Sequence, residues 1–226
     1  MGYAVKTQIY ALKTVPEAVA TAEAGVNFIG VTVGERGRLP WELDFRQSRD
    51  LFAAVRGVSA AHLLALTVAW DEEEIVETAV QTAPDIVHLS GDFDRYTPEL
   101  VVRLRSRLSP IRIMMAIPVG ASDSVAKAAM YARAADVLIL DTDRSHVPGV
   151  GATGEVHDWN LSAEIVRRVN IPVVLAGGLS PDNVQEAIRR VRPWVVDSYT
   201  HTNASDTRYK DLEKVTAFNR AAKETT

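Results

Sequence analysis

The chain contains no cysteine among its 226 residues. That absence excludes disulfides, thiolate metal sites and a cysteine nucleophile, and it leaves the redox compartment open. Nowhere do eighteen apolar residues run together, so no membrane-spanning helix is expected. The start, Met1-Gly2-Tyr3-Ala4-Val5-Lys6, lacks the charged head and apolar centre of a secretion signal, and a cytoplasmic protein with no membrane partner is expected. Basic residues are not in excess: 25 Lys and Arg stand against 29 Asp and Glu, giving a net charge of -4 and a pI near 5.8. This balance supplies no electrostatic footprint for nucleic acid, and a small ligand is the simpler partner. The five histidines (His62, His88, His146, His157, His201) show no HxH or HExxH spacing, so neither a metal nor any other cofactor is expected. His88, inside an apolar run, reads as a satisfied core residue. No Pro-, Gly- or Ser-rich linker and no low-complexity tract interrupts the chain, which points to one domain over residues 1–226.

What is present is a repeated alternation. Short apolar runs end in polar or glycine-containing loops, and each is followed by a helical pattern. The runs are Val5–Ala11, Asn27–Val33, His62–Val68, Asp85–Ser90, Ile111–Ile117, Asp136–Asp141, Ile171–Ala176 and Trp194–Asp197. The helices between and after them cover Ala18–Ala24, Phe45–Val55, Asp71–Thr82, Pro98–Leu108, Ser124–Ala134, a segment capped near Asp158 or Asn160 and running to Val169, Val184–Arg190, and Lys210–Lys223. Thr14-Val15-Pro16-Glu17 has the pattern of a capping box with proline in the first turn. Glu72, Glu73 and Glu74 suit a helix N-terminus and read as dipole complementation. Met114 and Met115 read as core filling. Eight such units match an α/β fold of the closed (β/α)8 type, the TIM barrel, although a doubly wound open sheet gives the same alternation.

In either architecture the chemistry sits where strands end. Asp141 closes the apolar run Val137-Leu138-Ile139-Leu140 and is the first candidate for a working residue; the alternative is an aspartate that merely starts a turn. Gly177-Gly178, followed by Ser180-Pro181-Asp182-Asn183 and a helix, has the composition of an anion cradle, with backbone N–H groups at a helix N-terminus. Ser198-Tyr199-Thr200-His201-Thr202-Asn203 after the eighth strand should complete that cradle, but it holds no glycine. The sixth loop, Gly149-Val150-Gly151-Ala152-Thr153-Gly154, reads either as a lid over a ligand or as an ordinary surface loop. Arg36 and Arg38 follow the second strand and either pair with a ligand carboxylate or phosphate or do nothing specific.

Leu138-Ile139-Leu140-Asp141, Gly151-Ala152-Thr153-Gly154 with His157-Asp158-Trp159, Leu175-Ala176-Gly177-Gly178-Leu179-Ser180-Pro181-Asp182-Asn183-Val184 and Val191-Arg192-Pro193-Trp194-Val195-Val196-Asp197 resemble the signature blocks of the phosphoribosylanthranilate isomerase family. Pro16-Glu17-Ala18 to Gly25 and Phe28-Ile29-Gly30 fit the same family. The resemblance implies a (β/α)8 barrel of tryptophan biosynthesis that performs an Amadori rearrangement. In that reaction an acid protonates the ribose ring oxygen and a base then removes the proton at C2. It also implies that Asp141 is the acid and that Arg38, Gly154, Gly177, Gly178, Ser198 and Thr200 bind substrate or phosphate. The family's base is a cysteine in a Lys-Ile-Cys-Gly block. Here the block reads Gln8-Ile9-Tyr10-Ala11, placing Tyr10 in the base position, or Thr7 if a small gap intervenes.

Other departures are Tyr199-Thr200-His201 for Ser-Ser-Gly, Met115 for a lysine in the fifth strand, and Glu155 for a lysine after the sixth-loop glycines. The expectation is a divergent, phosphoribosylanthranilate isomerase-like enzyme acting on a small phosphorylated sugar-type substrate, as a monomer or homodimer, with Asp141 and Tyr10 catalytic. The orthodox isomerase with a substituted base and a catalytically silent metabolite-binding barrel are the alternatives.

Overall fold

A computed structural model describes residues 5–39, 41–142, 156–205 and 209–225. Eight strands alternate with eight helices: β1 (Lys6–Ile9), α1 (Val15–Glu23), β2 (Phe28–Thr32), α2 (Phe45–Val58), β3 (His62–Thr67), α3 (Glu72–Thr82), β4 (Ile86–Leu89), α4 (Pro98–Leu108), β5 (Arg112–Val119), α5 (Ser124–Tyr131), β6 (Val137–Thr142), α6 (Trp159–Arg168), β7 (Val173–Leu175), α7 (Val184–Val191), β8 (Val195–Ser198) and α8 (Leu212–Lys223). Every strand pairs in parallel with its sequence neighbours, and β8 returns to β1 with Lys6 opposite Val195, Gln8 opposite Asp197 and Ile9 opposite Ser198. The sheet is therefore a closed barrel, and the open-sheet alternative is excluded.

The strands are short apolar runs because both of their faces are covered. One face fills the barrel with Phe28, Leu64, Ile86, Met114, Val137, Ile139, Val174 and Val195. The other packs against the helices through residues such as Ile29, Leu63, Val87, Met115, Leu138 and Val196. Met114 and Met115 are both fully buried, on opposite faces of β5, as core filling requires. Helix starts follow from local chemistry: the side chains of Thr14, Asp44, Asp71 and Thr97 each accept a backbone N–H of the first turn. The box expected at Thr14 is only half formed. Glu17 accepts instead from the backbone N–H groups of Lys13 and Lys210, which joins the start of α1 to the segment before α8. No helix among the described residues is long and apolar enough to cross a membrane.

Candidate active site

The strand ends place two carboxyls at one side of the mouth. In β6 the residues are buried up to Leu140, and Asp141 emerges partly exposed, with Oδ1 accepting the Thr142 N–H at 2.7 Å. Two strands on, in β8, Asp197 follows the buried Val195 and Val196 and is itself only 6% exposed. Gln8, its cross-strand neighbour on β1, donates from Nε2 to Asp197 Oδ1 at 3.1 Å. Burial and the negative charge of Asp141 push the Asp197 carboxyl up to about 8, against the opposing pull of Gln8 and Lys210.

Between them lies the loop after β7. Gly177 and Gly178 have φ of 79° and 63°, the left-handed region that glycine enters without strain. A Cβ on Gly177 would stand 2.7 Å from His157 Nδ1, 2.8 Å from Thr142 Oγ1 and 3.3 Å from Asp141 Oδ1. Glycine here keeps open the space beside the acid. Asn183 fixes the turn, accepting from Ser180 N–H at 2.8 Å and donating to Gly178 O at 2.9 Å. Asp141, Gly177, Gly178, Asp197, Thr200 and His201 line one recess.

The loop after β8 takes its shape from Lys210 where glycine is absent. The buried ammonium donates to Tyr199 O at 2.9 Å, Asn203 Oδ1 at 2.8 Å and Thr202 Oγ1 at 3.3 Å, and burial pushes it down to about 7. Ser198 ties the two loops together, its buried hydroxyl donating to Leu179 O at 2.8 Å, and it does not line the recess.

Tyr10, expected to be catalytic, does not line this recess. Its side chain belongs to the barrel interior, 5% exposed, and its hydroxyl shares a 2.8 Å hydrogen bond with His88 Nδ1. Burial, reinforced by the charge of Asp197, drives the phenol well above its ordinary value. Gly30 makes the room: a Cβ there would fall 2.3 Å from the Tyr10 ring. His88 is held neutral by burial, its pKa pushed down to about 3, and its Nε2 has no partner among the described residues, so this core histidine is satisfied on one side only. Thr7 is buried too, its hydroxyl donating to Asn219 Oδ1 at 2.7 Å. Neither residue lines the recess.

Arg38 forks onto Glu74 at 2.6 and 2.9 Å and stacks on Trp70 at 4.6 Å, away from the carboxyl pair; Arg36 is exposed, 3.5 Å from the same glutamate. Glu74 thus does more than complement the dipole of α3. The whole sixth loop, Gly154 and Glu155 included, lies outside the described residues.

Three residues of this region were missed by the sequence reading. Asp197 carries the same signal as Asp141, a carboxylate closing an apolar strand. His157 is bonded through Nε2 to Ser162 Oγ at 2.7 Å, while its buried Nδ1 has no partner among the described residues and faces the space over Gly177. It stood within a family-like block of the sequence without being given a role. Lys210 looked like an ordinary helix-start lysine. No group of three or more potential metal ligands occurs among the described residues.

A closed parallel barrel with two carboxyls and a diglycine turn lining one recess at the strands' C-terminal ends has the architecture of a (β/α)8-barrel enzyme, whose active site lies at that end. Residues 44–220 match the family model described as N-(5'phosphoribosyl)anthranilate (PRA) isomerase. The N-(5'-phosphoribosyl)anthranilate isomerase of Methanocella arvoryzae is 33% identical over 213 residues, covering 94% of this chain and 95% of the relative. The crystal structure of phosphoribosyl anthranilate isomerase from Thermotoga maritima shares the fold with a TM-score of 0.83 at 23% identity, covering 97% of this chain and 99% of that one. A crystal structure of the isomerase in complex with reduced 1-(o-carboxyphenylamino)-1-deoxyribulose 5-phosphate superposes with a TM-score of 0.79 at 22% identity, covering 97% and 99%. The chain belongs to the PRA isomerase family.

Proposed function

We propose that this chain catalyses the reaction for which its family is named, the rearrangement of N-(5'-phosphoribosyl)anthranilate to its 1-deoxyribulose isomer in tryptophan biosynthesis. The relatives bearing that name extend along nearly the whole chain, which favours this orthodox reaction over the divergent substrate expected at first. The observation that carries the reading is the single recess shared by Asp141, Asp197 and the diglycine turn. Asp141 acts as general acid, delivering a proton to the ring oxygen as the C1–O bond breaks and the nitrogen lone pair forms the Schiff base. The Gly177-Gly178 backbone and the Thr200 hydroxyl hold the phosphate, where open N–H groups favour an anion. Arg38 meets the anthranilate carboxylate by exchanging Glu74 for it. Tyr10 and Ser198 act through the scaffold and touch no reacting atom.

Complementation tests the reading. A tryptophan auxotroph lacking the isomerase should grow when it carries this gene and should not grow with Asp141→Asn expressed to the same soluble level. Failure of the unaltered gene, with soluble protein present, would leave a barrel that binds a metabolite without converting it.

A further inference from the structure

We propose that Asp197 is the base of this reaction, taking the proton from C2 while Asp141 gives one to the ring oxygen. The inference rests on the reaction assigned above and names the group that the sequence left missing.

Geometry carries it. The family places its base at the end of β1, and here that place is filled by Tyr10, whose hydroxyl is buried against His88. β8 is the strand that closes the barrel onto β1, with Gln8 directly opposite Asp197, so Asp197 stands on the strand beside the one that ends at Tyr10. One of its oxygens is held by Gln8 Nε2 at 3.1 Å. The other makes no hydrogen bond among the described residues, and the carboxyl lines the recess together with Asp141. The charged and titratable groups around it are Asp141 from β6, Tyr10 from β1, Lys210 ahead of α8, and His201 on the rim after β8. The competing bases are poorer. Thr7 lies against α8, and His157 faces Gly177 on the acid's side of the recess, with its pKa pushed down to about 4 by burial.

The chemistry fits a pair. Burial and the charge of the neighbouring Asp141 raise the proton affinity of Asp197, which suits the group that must accept the C2 proton. Proton transfer from Asp141 to the ring oxygen opens the ring. Asp197 then takes the C2 proton, the C2–H electrons form C1=C2, and the iminium electrons return to nitrogen, giving an enolamine. Protonation at C1 and loss of the C2 hydroxyl proton yield the ketone, with no net gain or loss of protons. A carboxyl whose affinity for protons is raised to about 8 is a stronger base, once ionised, than a solvated one.

Steady-state kinetics with N-(5'-phosphoribosyl)anthranilate test this on the full chain. The unaltered protein should show kcat/KM rising with pH to a plateau, on a limb near 8. Asp197→Asn should lower kcat by about 10²–10⁴-fold, with KM changed only a few-fold, and abolish that limb. A limb that falls near 8 would make Asp197 an acid and overturn the proposal. So would an Asp197→Asn variant that keeps kcat and limb; in that case the assigned function stands and the base alone is lost. An unaltered protein that turns over no substrate overturns the function and the base together. Should Asp197→Asn fail to fold by circular dichroism, the direction of the unaltered protein's limb decides.

Discussion

The two sides of the barrel mouth treat their polar groups differently. On the β1–β4 side most of them are paired, Tyr10 with His88 Nδ1, Arg38 with Glu74, and the guanidinium groups of Arg38 and Arg95 with Trp70, each 4.6 Å from the ring, while His88 Nε2 and Gln8 Oε1 have no partner among the described residues. On the β6–β8 side the second oxygen of Asp197 and the Nδ1 of His157 make no hydrogen bond among the described residues, and glycine at 177 keeps space between side chains that a methyl group would fill. Paired groups hold a fold together. Groups left over beside a recess are available to a ligand. Substitutions in the Tyr10–His88 pair should therefore act through stability, and substitutions beside the β6–β8 recess through activity, while Arg38, which exchanges Glu74 for substrate, should affect KM.

The largest effect expected beyond the two carboxyls is at Gly177. Alanine there meets a left-handed φ, at a cost of about 1–2 kcal/mol, and its Cβ would press on His157, Thr142 and Asp141. Activity should fall at least about tenfold while the barrel still forms, as read from kcat and the urea midpoint. An alanine variant with normal activity would mean that the turn plays no part in the site. Tyr10→Phe should behave oppositely. It leaves His88 Nδ1 buried without a partner, so stability should drop by about 1–3 kcal/mol, with kcat held within a few-fold.

The pH dependence of stability sharpens the contrast further. His88 has a pKa near 3 folded and 6.5 unfolded, so the unfolded chain binds its proton first, and stability is lost as pH falls from 6.5 toward 3. Asp197 has the reverse sign: its folded value of about 8 lies above the unfolded 3.8, so its contribution is fully present below 3.8 and is lost as pH rises toward 8. Urea midpoints across pH should show His88→Gln flattening the acid limb and Asp197→Asn flattening the alkaline one, making the protein more stable above pH 8 than the unaltered chain. Asp197 would then be a residue kept for chemistry at the expense of stability.

The alternation of short apolar runs with helical patterns made the eight units legible in the sequence. Barrel closure was not, because it depends on the pairing of residues 6–9 with 195–198, a contact that no local pattern encodes. Asp141 and the diglycine turn were legible because a carboxylate after four apolar residues and two adjacent glycines are local signals. Asp197 offered the same signal and was passed over as a strand end; its partners, Gln8 and Asp141, come from opposite parts of the chain. The direction of the Tyr10 side chain was not legible, because packing with distant residues decides between mouth and interior. Here the room left by Gly30 and the bond to His88 turn the phenol inward.

The division between the two sides is tested most directly by comparing kcat for Asp141→Asn and Tyr10→Phe with that of the unaltered protein on N-(5'-phosphoribosyl)anthranilate. The first ratio should fall by about 10² or more and the second should stay within a few-fold of one. A collapse of kcat in Tyr10→Phe, with Asp141→Asn retaining near-normal turnover, would contradict the placement of the chemistry on the β6–β8 side.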